Sequence, residues 1–230
     1  SFPAQPAARV AMGEQLEGLK KALEAGEVTT LVCLETNPLY TAPGGLKFGD
    51  ALAKATVVHA GVLPEETGAK ATWHVPLAHF LEAWGDARAW NGTASIAQPV
   101  ILPLHGGKPA VSFLAQLVGE AEASDKKLVE ATWAMSDAKA WRKALHDGVL
   151  PNTARAAGPA ELKKADVVAA LGAVQAVTPS KDALEFIAYE GHLKDGRLSN
   201  VSWLMELPDS MSKLSWDNAV LVSPSLAKEL

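Results

Sequence analysis

With 230 residues, 48% of them hydrophobic, the chain has room for one large domain, or a domain with an annex, around a buried core. A net charge of −5 with no basic cluster argues against nucleic acid or an anionic membrane as partner. No apolar run approaches the ~20 residues of a membrane span, and the single cysteine, Cys33, excludes an internal disulfide or a four-thiolate iron–sulfur cluster here.

Met12, Leu16, Leu19 and Leu23 recur at helical spacing and predict an amphipathic helix over 8–25, ended by Gly26. Residues 28–34 form a continuous apolar, β-branched run, the pattern of a strand covered on both faces, with Cys33 as a small buried hydrophobe. Asn37-Pro38 stops it. Helix 46–55 follows, burying Phe48, Leu52 and Ala55, then strand 56–60. Pro64-Glu65-Glu66-Thr67 opens a short helix, with proline and acids where free N–H groups favour them. Strand 72–75 closes at Pro76. Alternating strands and helices with tight connections predict an α/β fold, a Rossmann-like parallel sheet flanked by helices, with strands near 28–34, 56–60, 72–75 and 93–98. Ligand-handling loops of such sheets stand at the carboxyl ends of the strands, here 35–38, 61–65 and 76–79.

Beyond a Pro/Gly-rich connection at 99–109, helices read over 111–118, 128–133 and 136–145. The last takes Ser136 as N-cap, Ala138, Trp141 and Leu145 as its buried stripe, and Gly148 as terminator. A helix around 159–171 sits in an Ala-rich connector. Residues 184–189 alternate like a strand, and Asp195-Gly196 signals a turn.

Generic catalytic motifs are missing: no P-loop, no GxGxxG and no GxSxG occur. His74 and His79, five apart around Pro76, fit a structural pair better than a zinc pair. His59, His105, His146 and His192 are scattered singly. Asn91-Gly92 reads as a turn into the strand that starts at Thr93. Seven tryptophans are spread along the chain; Trp203 and Trp216, in a tail with little core, suggest a contact surface for a neighbouring domain or partner.

Glu35-Thr36-Asn37-Pro38-Leu39-Tyr40, Trp73-His74-Val75-Pro76, Trp84-Gly85-Asp86-Ala87-Arg88 and the stretch from Asn91 to Pro99 stand in a fixed order. This ordered set resembles the nucleotide-cradling α/β domain of the molybdopterin oxidoreductase superfamily over residues 28–118. Ala144-Leu145-His146-Asp147-Gly148, the stretch 203–209 and the stretch 213–219 extend the likeness. With them the chain is similar to the molybdopterin-oxidoreductase-like, iron–sulfur-bearing B subunits of alternative complex III, a bacterial quinol-oxidising complex. In that subfamily the fold is kept while the molybdenum cofactor is understood to be lost.

The resemblance implies a piece of a larger redox protein. Its α/β domain would span 1–150, with a connector at 151–180 and an annex at 181–230 leading through 219–224 into a truncated C-terminal barrel. It implies no catalytic and no metal residue here, and no cofactor held by this piece alone. The expected partners are the remaining domains of the parent and other subunits of a membrane-associated complex at the periplasmic face of the inner membrane, with no direct membrane span and no nucleic acid. Surviving nucleotide contacts would come from Thr36 and Asn37 at the first strand end and from Asn91, Gly92 and Thr93 in the second loop. Glu35 would repel a pyrophosphate, and Trp84 and Trp90 bracket the second loop with bulk. The alternative is the guanosine-gripping domain of a true molybdenum oxidoreductase carrying molybdopterin guanine dinucleotide.

Overall fold

The computed structural model describes residues 11–120, 124–135, 137–156, 158, 161–175, 178–180, 183–191, 193, 198 and 200–229. The chain divides into two compact units, Ser1–Leu162 and Lys163–Leu230, a boundary inside the expected connector.

In the first unit, α1 (Met12–Glu24) turns Leu16, Leu19 and the fully buried Leu23 inward, while Glu17–Lys21 and Lys20–Glu24 pair along its wet side. Gly26 adopts φ +75 and redirects the chain into β1 (Thr30–Leu34). Proline at the first turn of α2 (Pro38–Thr41) starts a short helix without needing its missing N–H. A 3-10 turn (Gly44–Leu46) then leads to α3 (Phe48–Leu52), which buries Phe48, Ala51 and Leu52. Strand β2 (Thr56–Gly61), α4 (Glu66–Lys70) and β3 (Trp73–Pro76) complete the layer.

The strands lie in the order β1-β2-β3, all parallel, with Cys33 opposite His59 and His59 opposite His74. Side chains alternate across the pleat. Leu31, Cys33 and Val57 face the core of Leu23, Phe48, Ala51 and Leu52. Leu34, Val58, Ala60 and Val75 face the other way, onto Phe113 and Ala110 of α5 (Ala110–Leu117) and onto Leu77. Helices therefore cover both faces, as a parallel sheet requires. The architecture is α/β.

The strand expected at 93–98 does exist, as β5 (Ala94–Ala97), but it is not in the parallel sheet. It pairs antiparallel with β4 (Gly85–Arg88), a segment expected to be loop. The cause is local. Gly92 takes φ +91, Gly92 N–H donates to Ala89 O and Ala89 N–H to Thr93 O, a three-residue hairpin loop ending in a left-handed glycine. Closing so short a loop costs far less chain entropy than a crossover back to β3. The hairpin packs Ala94 and Ile96 on Val129 of α6 (Asp125–Thr132), on Trp141 and Ala144 of α7 (Ala138–Asp147), and on Leu150. Ala138 is exposed and Ala144 takes its place in the buried stripe, because Leu150 returns under the helix. Ser136 lies outside the described residues; Asp137 is the N-cap, accepting from Lys139 N and Ala140 N, and Gly148 ends the helix at φ +73.

The second unit carries α8 (Lys164–Gly172), α9 (Ser202–Glu206) and α10 (Leu226–Glu229), and every described residue in it is half-buried or exposed. Residues 184–189 form no strand: alternation alone does not make one without a partner to pair with. The turn expected at Asp195-Gly196 falls outside the described residues. Trp203 is 84% and Trp216 58% exposed, as expected for the tail. Asp209 organises the loop after α9, its Oδ1 accepting from Met211 N, Ser212 N and Ser212 Oγ.

Candidate functional site

The carboxyl end of β1 is where the sequence places the first half of a nucleotide site. Just past it, Glu35 takes φ +50, a left-handed backbone costly for a residue with a Cβ. That turn brings Asn37 over the start of α4. The Asn37 Oδ1 accepts from Thr67 N at 3.1 Å and from Thr67 Oγ1 at 2.7 Å. Its Nδ2 donates to Glu66 Oε2 at 2.6 Å. Thr67 in turn accepts from Leu39 N at 3.1 Å. The amide thus caps α4 from outside, satisfying an N–H that a helix start leaves without a partner.

These bonds set the electrostatics of the edge. The Asn37 hydrogen bond holds the exposed Glu66 carboxyl below the usual carboxylate range. Partial burial pushes the Glu65 carboxyl up, with the Glu66 charge adding to the effect and Asn37 opposing it. Thr36 is exposed.

Beneath this edge lies a histidine pair that the sequence reading divides, taking His59 as isolated and His74 as the partner of His79. His59 is 1% exposed. Its Nδ1 is 2.9 Å from His74 Nδ1, with the rings 5.1 Å apart and inclined at 22°. Burial depresses the His59 pKa below the ordinary histidine value; the His74 charge adds to this and the Thr36 backbone opposes it. A Cβ at Gly61 would stand 2.8 Å from the ring, and one at Gly68 2.7 Å, so both positions need glycine to leave it room. His74 therefore pairs with His59 and not with His79. His79 caps the 3-10 turn Phe80–Glu82, exchanging bonds with Leu81 N and the Glu82 carboxylate. The available signal was register: strands opening at Thr30, Thr56 and Trp73 bring Cys33, His59 and His74 into one row.

The second half of the site sits on the separate hairpin. Asn91 Oδ1 accepts from Thr93 N at 3.0 Å, and Asn91 O accepts from Arg155 N at 2.7 Å. Gly92 is buried; a Cβ there would meet Arg155 Cγ at 2.7 Å and Thr153 O at 3.0 Å. Gly92 O accepts from the Arg88 guanidinium at 3.2 Å. Thr93 is half-buried at the end of the turn. Each half of the expected site is thus engaged within its own neighbourhood: Asn37 bonds to α4, Asn91 bonds to Arg155, and Gly92 lies against residues 153–155.

The Trp84–Arg88 motif also acquires roles. Trp84 N donates to Asp125 Oδ2 at 2.7 Å, and its ring packs 5.9 Å from that of Trp141. Asp86 accepts from Trp133 Nε1 at 2.8 Å, while the Arg88 guanidinium stacks 4.9 Å over the same indole. A cleft of about 240 Å³ beside Trp133, Lys143 and Leu150 is apolar-walled, small for a cofactor site. Among the described residues no three His, Cys, Asp or Glu converge as metal ligands. No helix among them is long and apolar enough to cross a membrane. No protein-family profile and no curated protein matches the chain.

Proposed function

We propose that this chain is a non-catalytic scaffold domain of a molybdopterin-oxidoreductase-like subunit in a bacterial respiratory electron-transfer complex. The observation that carries this reading is the saturation of Asn37. The side chain that the resemblance aims at a nucleotide has both its oxygen and its nitrogen engaged within the fold, by Thr67 and Glu66. Gly92, whose open side would let a ligand approach the backbone, faces Thr153 and Arg155 instead. These residues, as arranged, do not fit a guanine or a pyrophosphate.

Exposed apolar groups favour a chain that works against neighbours. In the first unit, Val100 N and Ile101 N both donate to Leu81 O and Leu104 N to Glu82 Oε1. The resulting ridge displays Phe80, Val100, Leu102 and Leu104, each more than two-thirds exposed, the kind of apolar group that contact surfaces gather. In the second unit Trp203 plays the same part. The partners are then other domains of the parent and other subunits at the periplasmic face of the inner membrane.

Calorimetric titration of the whole chain with a guanine nucleotide tests the reading. The expected result is no saturable binding up to millimolar nucleotide. Saturable micromolar binding that disappears in Asn37→Ala would replace it with the guanosine-gripping domain of a molybdenum enzyme.

A further inference from the structure

Strand β1 is paired along one side only. Thr56 N donates to Thr29 O at 2.9 Å and Glu35 N to Ala60 O at 2.8 Å, with Thr30 opposite Thr56 and Leu34 opposite Ala60. In that register the odd-numbered residues of β1 turn their N–H and C=O groups toward β2. Thr30, Val32 and Leu34 turn theirs the other way. Among the described residues none of these backbone groups has a hydrogen-bond partner, and no strand lies beyond them.

The edge is also within reach. Thr30 is exposed and Val32 is 40% exposed, because the cluster under α5 takes in Leu34, Val58, Ala60 and Val75 but not Val32. Thr30–Leu34 carries no charge, no proline and no bulge, the features that usually keep strand edges apart. At the opposite edge of the sheet the chain itself returns: Lys108 N donates to Pro76 O at 3.0 Å and Ala78 N to Lys108 O at 2.9 Å.

A row of unmet N–H and C=O groups takes one kind of partner, another extended strand. β1 itself meets that requirement. Two copies set antiparallel with Val32 on a twofold axis place Thr30 opposite Leu34 and Val32 opposite its equivalent, so every outward donor finds an acceptor. Charge selects the same register. Glu35 then stands opposite Thr29 and Glu27 opposite Asn37, whereas Leu31 on the axis would set Glu27 against Glu35. That shift would also call on Val28, whose N–H is already given to Ala22 O. Cys33 on the axis would call on Thr36, beyond the left-handed turn at Glu35.

We propose that this chain pairs with a second copy of itself through the open edge of β1, antiparallel about Val32, joining the two parallel sheets into one. The same edge serves both copies, so the assembly closes at two. A single strand pair buries little side-chain surface, which makes the dimer weak and concentration-dependent.

Sedimentation equilibrium of the whole chain from micromolar to millimolar concentration tests the pairing, with amide hydrogen exchange of β1 measured at both ends of the range. A dimer should form as concentration rises, and the Thr30, Val32 and Leu34 amides should slow about tenfold or more with it. Val32→Pro removes one outward N–H and no bond to β2, a change that an edge strand accepts, and should stay monomeric throughout. Val32→Lys and Val32→Glu each set like charges face to face on the axis. Each should be monomeric alone, and the two should form a dimer when mixed. Protected β2 amides report that the sheet has formed in each variant; if Val32→Pro fails to fold, the charged pair decides. A wild-type chain that stays monomeric up to millimolar concentration, a dimer that survives Val32→Pro, or a mixture of the charged variants that stays monomeric would each overturn the proposal.

Discussion

Asn37 and His59 each hold together segments far apart in sequence. Asn37 reaches thirty residues ahead to cap α4 through Thr67. Asn37→Ala leaves the N–H and hydroxyl of the buried Thr67 without their acceptor, and should cost about 2–3 kcal/mol, read as a lower urea midpoint with the slope unchanged. His59 acts through its proton count. Its pKa in the folded chain lies below the unfolded value near 6.5, so the unfolded chain binds more protons between the two. Stability is therefore fully present above about pH 6.5 and is lost as pH falls below it toward the folded value, with a slope of at most ~1.4 kcal/mol per pH unit for one group. Urea midpoints measured across that window should fall with acid, and His59→Leu should flatten the curve.

At the scale of elements, the hairpin and its helices form a unit distinct from the parallel sheet. Gly92→Ala both strains the left-handed turn and drives a Cβ into Arg155 and the Thr153 carbonyl. A loss of about 1–3 kcal/mol is expected, with faster amide exchange in β4 and β5 than in β1 to β3. Trp141 fills the core of this unit, yet its buried Nε1 has no hydrogen-bond partner among the described residues. Trp141→Phe keeps most of the apolar contact and removes an unsatisfied donor, so it should cost well under the ~3–5 kcal/mol of Trp141→Ala. Equal losses in thermal unfolding would mean that the indole N–H does bond.

For the whole molecule, the contrast lies between a first unit with three buried clusters and a second with none among its described residues. A chain ended at Leu162 should keep its circular dichroism and its cooperative melt. Residues 163–230 alone should show little secondary structure and no cooperative transition, since short helices without a buried face are marginal in water. A sharp melt of that second piece would show a core of its own.

Periodicity by itself located α1, β1, β2, β3, α5 and α7 within a few residues, because hydrophobic spacing records which face of an element is buried. It also implied the parallel layer, since short strands alternating with short helices admit few other arrangements. Where it errs is pairing. It puts 93–98 in the parallel sheet, whereas 94–97 folds back on 85–88, because a three-residue turn costs less chain entropy than a crossover. Whether Asn37 faced a ligand or a helix depended on where α4 came to rest. The histidine pair hung on the same thing: His59 and His74 are fifteen residues apart and become neighbours only once β2 and β3 are paired in register, which the tertiary structure fixes.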